Sequence, residues 1–365
     1  MAKPAENGTL TVVEEPYGGS TVEERKQAML EGLTPEEIAE RNAIPTAAPN
    51  GEPHRVIVPE LYSENDTFTA YCPAQPNDPG PAAALPLKPG VLAEAQKITD
   101  RIGVKVQPES PEYWGLASVM TDEEATLTAH MKVRHPLTFA QLQERSGLEA
   151  GKLQQLLDSL TLKGVIEYNW ENLDGANPAH EKRYVLPMFV PGSAEFTVMN
   201  QAQMEEHPEL ATFFERMSFL PLTKVTKMVP PGGAGIGMHV IPVQRAIESH
   251  SEAADVERIS HWLKKYDRFA AGSCSCRTAE RVRGANDGSD PQNWCIAIGD
   301  MADYLVETGK GHFITLDEVL GILLLAEKNG YVHQITNIDG QDKIFAICNC
   351  DVNVCYALRT SQLFN

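Results

Sequence analysis

The stretch Leu137-Thr138-Phe139-Ala140-Gln141-Leu142, turned at Gly147 and resumed as Leu153-Gln154-Gln155-Leu156-Leu157-Asp158-Ser159-Leu160 to Gly164, decides how the fold is read. A threonine followed three residues later by glutamine can exchange two hydrogen bonds across the first helical turn, so Thr138 and Gln141 predict a helix start. Leu137, Leu142 and Leu148 frame that helix and Gly147 supplies the turn. Leu153, Leu156, Leu157 and Leu160 then fall on one face of a second helix, which Gly164 ends. Beyond it, Val165–Tyr168 and Arg183–Leu186 read as two strands of a wing. The pattern predicts a winged helix over residues 121–200.

A helix-turn-helix ordinarily suggests DNA, but charge argues otherwise here. The second helix carries Glu149, Lys152, Asp158 and Lys163, which sum to zero, and the wing adds only Lys182 and Arg183. The whole chain of 365 residues holds 31 Lys+Arg against 50 Asp+Glu, a net charge of -19. Such a field repels polyanions, so nucleic acid is an unlikely partner and protein docking the expected role. Met1–Leu10 lack a basic-then-apolar leader, and no apolar run approaches the ~20 residues of a membrane span. A cytoplasmic protein is expected.

Working outward, residues 1–110 read as a long, irregular, Pro-rich acidic arm. Residues 1–90 alone contain 13 of the 25 prolines, 14 acidic residues and 6 basic ones. So little apolar content cannot bury a core of its own. Thr34-Pro35-Glu36-Glu37 predicts one short helix within it, to about Asn42. Residues 201–252 form a connector with a helix around Pro208–Met217 and a glycine-rich loop, Pro230–Gly237, followed by a strand at Met238. That order is wrong for a dinucleotide fingerprint, which needs its glycines between a strand and a helix.

Six of the seven cysteines lie between positions 274 and 355; the seventh, Cys72, stands alone and reads as an incidental thiol. Clustered cysteines in a reducing compartment point to metal rather than to disulfides. A helix over Ala253–Arg268 leads into Cys274-Ser275-Cys276-Arg277, where an extended chain would send both thiols to one side. Cys295 follows, then a helix over Ile298–Glu307. The capping box Thr315…Glu318 opens another helix that stops at Gly330. Tyr331–Asn337 and Lys343–Ile347, joined through Asp339-Gly340, predict a hairpin that delivers Cys348-Asn349-Cys350, with Cys355 beyond. Six thiols can thus converge. Residues 253–365 are accordingly read as a second helix-plus-hairpin domain, and the fold class as α+β, mostly helical.

The C-x-C spacing is less usual for zinc than C-x(2–4)-C, and four thiolates suffice for an iron–sulfur cluster. One [4Fe-4S] cluster is therefore expected, with zinc, or simply packed thiols, as the alternatives. Cys276, Cys295, Cys348 and Cys350 are the first candidate ligands, with Cys274 and Cys355 next. Arg277 is the candidate cofactor-binding cation, since a four-thiolate cluster carries negative charge. Arg281 and Arg283 read equally well as surface residues, and His312 and His333 as structural histidines rather than ligands.

The series Cys274-Ser275-Cys276-Arg277, Cys295, Ile298–Tyr304, Glu307-Thr308-Gly309, Ala326-Glu327, Val332-His333 and Ile347-Cys348-Asn349-Cys350 resembles an iron–sulfur family of anaerobes. In that family a winged helix precedes the cysteine module. The segment Arg183–Gly192 with Glu195-Phe196 is similar to the family's link out of the wing, so the resemblance spans about residues 121–360. Family members commonly continue into ferredoxin-like and flavin/NAD(P) oxidoreductase modules, which this sequence does not contain. The resemblance implies an electron-transfer module or subunit, or a fragment, of a flavin/NAD(P)-linked oxidoreductase, with a flavoprotein or ferredoxin-type partner in a hetero-oligomer. Asp351–Val354, where the family is richer in cysteine, depart from it and put a second cluster in doubt. No nucleophile triad or nucleotide site is legible, so a non-catalytic redox role is expected. A cluster-sensing winged-helix transcription regulator and a zinc-stabilised scaffold subunit are the alternatives.

Overall fold

A computed structural model describes residues 2–4, 10–12, 86–99, 105–170, 181–190, 192–217, 238–241, 259–283, 294–336, 343–351 and 354–361. The helix read at Thr34–Asn42, Cys72, the loop Pro230–Gly237 and the Asp339-Gly340 turn lie outside them. The architecture is α+β, with helices packed against antiparallel sheets. Near the start, β1 (Ala2–Pro4) pairs with β2 (Leu10–Val12).

Three helices come first among the packed elements: α1 (Pro89–Ile98), α2 (Pro111–Val119) and α3 (Asp122–Thr128). The first two start on a proline, whose missing N–H costs nothing at that position. Lysines close two of them: Lys88 Nζ donates to Ala117 O and Met120 O at the end of α2, and Lys97 Nζ to Thr128 O and Met131 O at the end of α3. Unsatisfied carbonyls and the negative end of the helix dipole make both positions favourable for a cation. Although α1 falls within the stretch read as an arm, its Val91, Ala95 and Ile98 are buried in the core.

Next come β3 (Leu137–Thr138), α4 (Phe139–Ser146), α5 (Ala150–Lys163), β4 (Glu167–Asn169) and β5 (Arg183–Val185). The strands form a three-stranded sheet in the order β3-β5-β4. Thr138 and Gln141 make the predicted reciprocal capping bonds, and Gly147 takes the left-handed conformation at φ 68. Leu153, Leu156, Leu157 and Leu160 are buried on α5 as the spacing requires. At Gly164, φ is +84 and an added Cβ would lie 2.4 Å from the Phe196 carbonyl carbon, so both the turn and the close approach of α6 (Ser193–Met199) need glycine. α7 (Gln201–Glu206) and α8 (Glu209–Met217) follow. Phe213 of α8 meets Trp114 and Phe189 edge-on.

The remaining elements are β6 (Met238–Ile241), α9 (Ile259–Leu263), β7 (Phe269–Gly272), α10 (Ser275–Arg283), β8 (Cys295–Ile298), α11 (Asp300–Glu307), β9 (Gly311–Ile314), α12 (Leu316–Lys328), β10 (Val332–Thr336), β11 (Ala346–Cys350) and α13 (Tyr356–Ser361). Six strands form one antiparallel sheet ordered β6-β10-β11-β8-β7-β9. The predicted β10–β11 hairpin pairing is present, but it lies inside this sheet, so the cysteine region is not a second helix-plus-hairpin copy of the upstream plan. Two expected helix boundaries are also corrected. Among the described residues the helix before the first cysteines covers only Ile259–Leu263, and the chain turns into β7. Ile298 ends strand β8, and Gly299, at φ +57, turns the chain into α11. A four-residue apolar run such as Cys295–Ile298 has no period of its own; its partners across the sheet make it a strand.

One hydrophobic cluster runs from Val91 on α1 to Tyr304 and Leu305 on α11, so the upstream elements and the sheet share a core. Tyr304 Oη donates to Thr161 O at 3.2 Å and Ile166 O at 3.0 Å. Lys310 Nζ donates to Thr161 O and Leu162 O at the end of α5, again a cation on helix-terminal carbonyls. Among the described residues no helix is long and apolar enough to cross a membrane.

Candidate metal centre

Strand alternation sorts the six-stranded sheet into two unlike faces. Ile298, Ile296, Ile347 and Ile335 point to one, where α9 and α12 cover them in a second apolar cluster. On the opposite face register places Cys348 directly across from Cys295, and Gln334 across from Cys348. Gly272 lies beside Cys295 on the other side. Cys350, two residues beyond Cys348, shares that face. The period-two argument therefore holds for Cys348 and Cys350.

It does not hold for the first pair. Cys274 and Cys276 were expected on extended chain, but the strand stops at Gly272 and α10 begins at Ser275. Cys274 O accepts the first helical bond, from Thr278 N at 2.9 Å, and its sulfur accepts the Arg277 N–H. Cys274 thus occupies the capping position, with sulfur in place of the usual oxygen. Cys276, in the first turn of the helix, reaches over the thiol face instead. α13 completes the lid: Cys355 and Leu358 cluster with Cys350, with Cys276, Cys348 and Val332 against them.

All six predicted thiols consequently fall in one connected set. Cys274 touches Cys276, Cys276 touches Cys355, Cys355 touches Cys350, Cys350 touches Cys348 and Cys348 touches Cys295 through sulfur-to-sulfur hydrogen bonds. Cys350 and Cys355 are buried and the other four partly so. Hydrogen bonds from Cys276 and Cys350 push the Cys355 thiol well down, and the bond from Cys276 brings Cys274 down to about 6. Cys276, Cys348 and Cys350, as donors beside sulfur anions, are pushed up. Main-chain N–H groups of Ala357 and Leu358 add to the stabilisation of Cys355, and Tyr356 N donates to Cys276 Sγ at 3.3 Å. The set can hold negative charge on sulfur. Among the described residues, no group of three or more His, Cys, Asp or Glu is placed to hold a single metal ion.

Arg277 is 2% exposed, although it is a cation. Its Nη1 donates to Asn349 O at 3.0 Å, and its guanidinium lies 4.4 Å from the Tyr331 ring centre and 5.1 Å from that of Trp294. Its Nε and Nη2 have no hydrogen-bond partner among the described residues. Burial alone would lower its pKa, but Cys274, Tyr331, Asp351 and Cys350 together hold it above its usual range. Arg283, one of the two read equally well as surface residues, is buried and paired with Glu280 at 3.1 Å, while Arg281 is exposed. His333 is buried with Nδ1 2.8 Å from Asn349 Oδ1, on the face away from the thiols, and His312 is exposed on the edge strand β9.

Sequence reading missed Gln334, whose amide nitrogen lies 2.9 Å from Cys350 Sγ and 3.4 Å from Cys355 Sγ. The β10–β11 register would have found it, since it sits opposite Cys348. Trp294 and Tyr331, which meet edge-on at 5.0 Å around Arg277, were also missed, because no local pattern marks a stacking pair 37 residues apart.

β4 and the residues flanking the β4–β5 pair face α11. Tyr168 Oη and Lys182 Nζ both donate to Glu307 Oε2 of α11, and Trp170 N donates to Asp300 Oδ2 at 3.1 Å. Tyr168 also meets the Tyr304 ring edge-on at 5.2 Å. Compared with protein-family models, with curated proteins and with solved structures, the chain gives no match.

Proposed function

We propose that this protein is an electron-transfer module that holds one iron–sulfur cluster, of the [4Fe-4S] type, and passes electrons between protein partners. The observation that carries the reading is a buried guanidinium, Arg277, whose Nε and Nη2 have no hydrogen-bond partner among the described residues, beside a connected set of six cysteines. Buried N–H groups without acceptors are costly, and a thiolate-held cluster with net negative charge is the kind of group that would offset that cost. The donor set fits: six sulfurs exceed the four required, and helix-end amides and the Gln334 amide point at them. Cys276 and Cys350, each touching Cys355 over the sheet, would with Cys355 be joined by Cys348, with Cys295 and Cys274 at the two ends of the set. When bound, such a group supplies one-electron redox chemistry. The chain's own residues orient the sulfurs, exclude water and balance charge.

The upstream elements we read as a winged helix used for docking rather than for DNA. Lys182, one of the two wing cations, is spent on Glu307, and Arg183 lies 4.0 Å from Glu181. With a net charge of -19, little remains to contact phosphates. The partner expected is a flavoprotein or ferredoxin-type protein, in a hetero-oligomer.

The test is purification without oxygen, followed by visible absorption and by iron, sulfide and zinc assays. About four irons and four sulfides per chain, with a brown colour, are expected. Colourless protein with stoichiometric zinc would replace electron transfer by scaffolding. In the coloured protein Cys276→Ser is expected to lose the chromophore, and full iron content in that variant would remove Cys276 from the ligand set.

A further inference from the structure

Gln334 is 2% exposed in the middle of β10, on the face that also carries Cys348 and Cys350. Polar side chains buried in a sheet need a reason, because an unsatisfied amide costs about 1–3 kcal/mol. Here the reason is visible: Nε2 lies 2.9 Å from Cys350 Sγ and 3.4 Å from Cys355 Sγ, sulfurs that belong to β11 and to the residue just before α13. The neighbour His333 points the other way and serves Asn349. Cys350 donates in both of its sulfur-to-sulfur bonds and receives none, so the Gln334 amide is its donor within the set, and an amide N–H is a stronger and more oriented dipole than a thiol.

We infer that Gln334 is a positioning residue that sets the reduction potential of the site, by donating its amide N–H groups to the sulfurs of Cys350 and Cys355. This rests on the reading of the site as a thiolate-held iron–sulfur centre. An N–H dipole aimed at sulfur stabilises the more negative, reduced state over the oxidised one, so it raises the potential. The same amide joins β10 to the segment before α13 and fixes the spacing of two sulfurs that are five residues apart in sequence.

The experiment uses the full chain, purified without oxygen, as wild type and as Gln334→Met and Gln334→Leu. Methionine keeps the length of the side chain and removes both donors; leucine is a second apolar replacement with a different shape. Iron content is measured first, then the ratio of reduced to oxidised centre in a dye-mediated redox titration. The expected result is unchanged iron and a roughly tenfold lower ratio of reduced to oxidised centre at a fixed applied potential, which is a fall of 59 mV for a one-electron couple. A shift of threefold or more in that direction in either iron-replete variant supports the assignment. Iron-replete variants that move by less than threefold, or that move upward, overturn it. So does loss of iron in both variants, which would make Gln334 a structural residue only. A wild-type chain that binds no iron would instead overturn the reading of the site, and the inference with it.

Discussion

Lys310 offers a quantitative test of how the sheet is joined to α5. Its ammonium is 3% exposed, donates to Thr161 O at 2.8 Å and Leu162 O at 2.9 Å, and lies 4.9 Å from the Tyr304 ring centre. Burial brings its pKa down to about 7 from an ordinary 10.5. In the unfolded chain the lysine keeps its proton up to the ordinary value, so between about pH 7 and 10.5 the unfolded state binds more protons and folding stability rises with pH. The slope approaches about 1.4 kcal/mol per pH unit, so from pH 7.5 to 9 the lysine contributes a gain of roughly 2 kcal/mol. Cysteines titrate in the same window, and comparison with Lys310→Met removes them, because they are common to both proteins. The two carbonyls keep other donors in the variant, since Tyr304 serves Thr161 and Asn200 serves Leu162. Urea unfolding at pH 7.5 and 9 is expected to show wild type gaining about 2 kcal/mol on Lys310→Met. A difference between the two proteins that stays constant within 0.5 kcal/mol or so would refute the argument. It would mean that the carbonyls, the ring and the helix dipole hold the ammonium charged throughout.

Gly164→Ala should destabilise by about 2–4 kcal/mol, because it combines a positive φ with a Cβ placed against the Phe196 backbone; a loss under 0.5 kcal/mol in thermal unfolding would show that α6 can move away. Thr138→Ala removes one half of a capping box and should cost about 1 kcal/mol, read by urea midpoint at unchanged slope. Glu307→Gln removes the charge that engages Lys182, and a lower unfolding midpoint at low salt that converges with wild type at 1 M salt is expected; the pair is half exposed, so a loss above about 1 kcal/mol would contradict its placement. On immobilised heparin the chain should elute without a salt step, and tight, salt-dependent retention would favour the transcription-regulator alternative.

Local sequence determined the parts of this protein whose physics is local. Thr138 with Gln141, and Thr315 with Glu318, fix helix starts because the partners lie three residues apart on one turn. Gly147 and Gly164 mark helix ends because only glycine adopts positive φ cheaply, and the leucines of α5 face the core because a helix repeats every 3.6 residues. The cysteine spacing also announced a common site. Tertiary structure decided what depends on partners distant in sequence. Whether Cys295–Ile298 is strand or helix turns on β7 and β11, and the capping role of Cys274 turns on where β7 stops. Burial of Arg283, the Trp294–Tyr331 platform around Arg277, and the placing of Gln334 between Cys350 and Cys355 arise from chain segments that meet only after the sheet assembles. Pairing across strands has no fixed sequence offset, so no short window of this chain contains it.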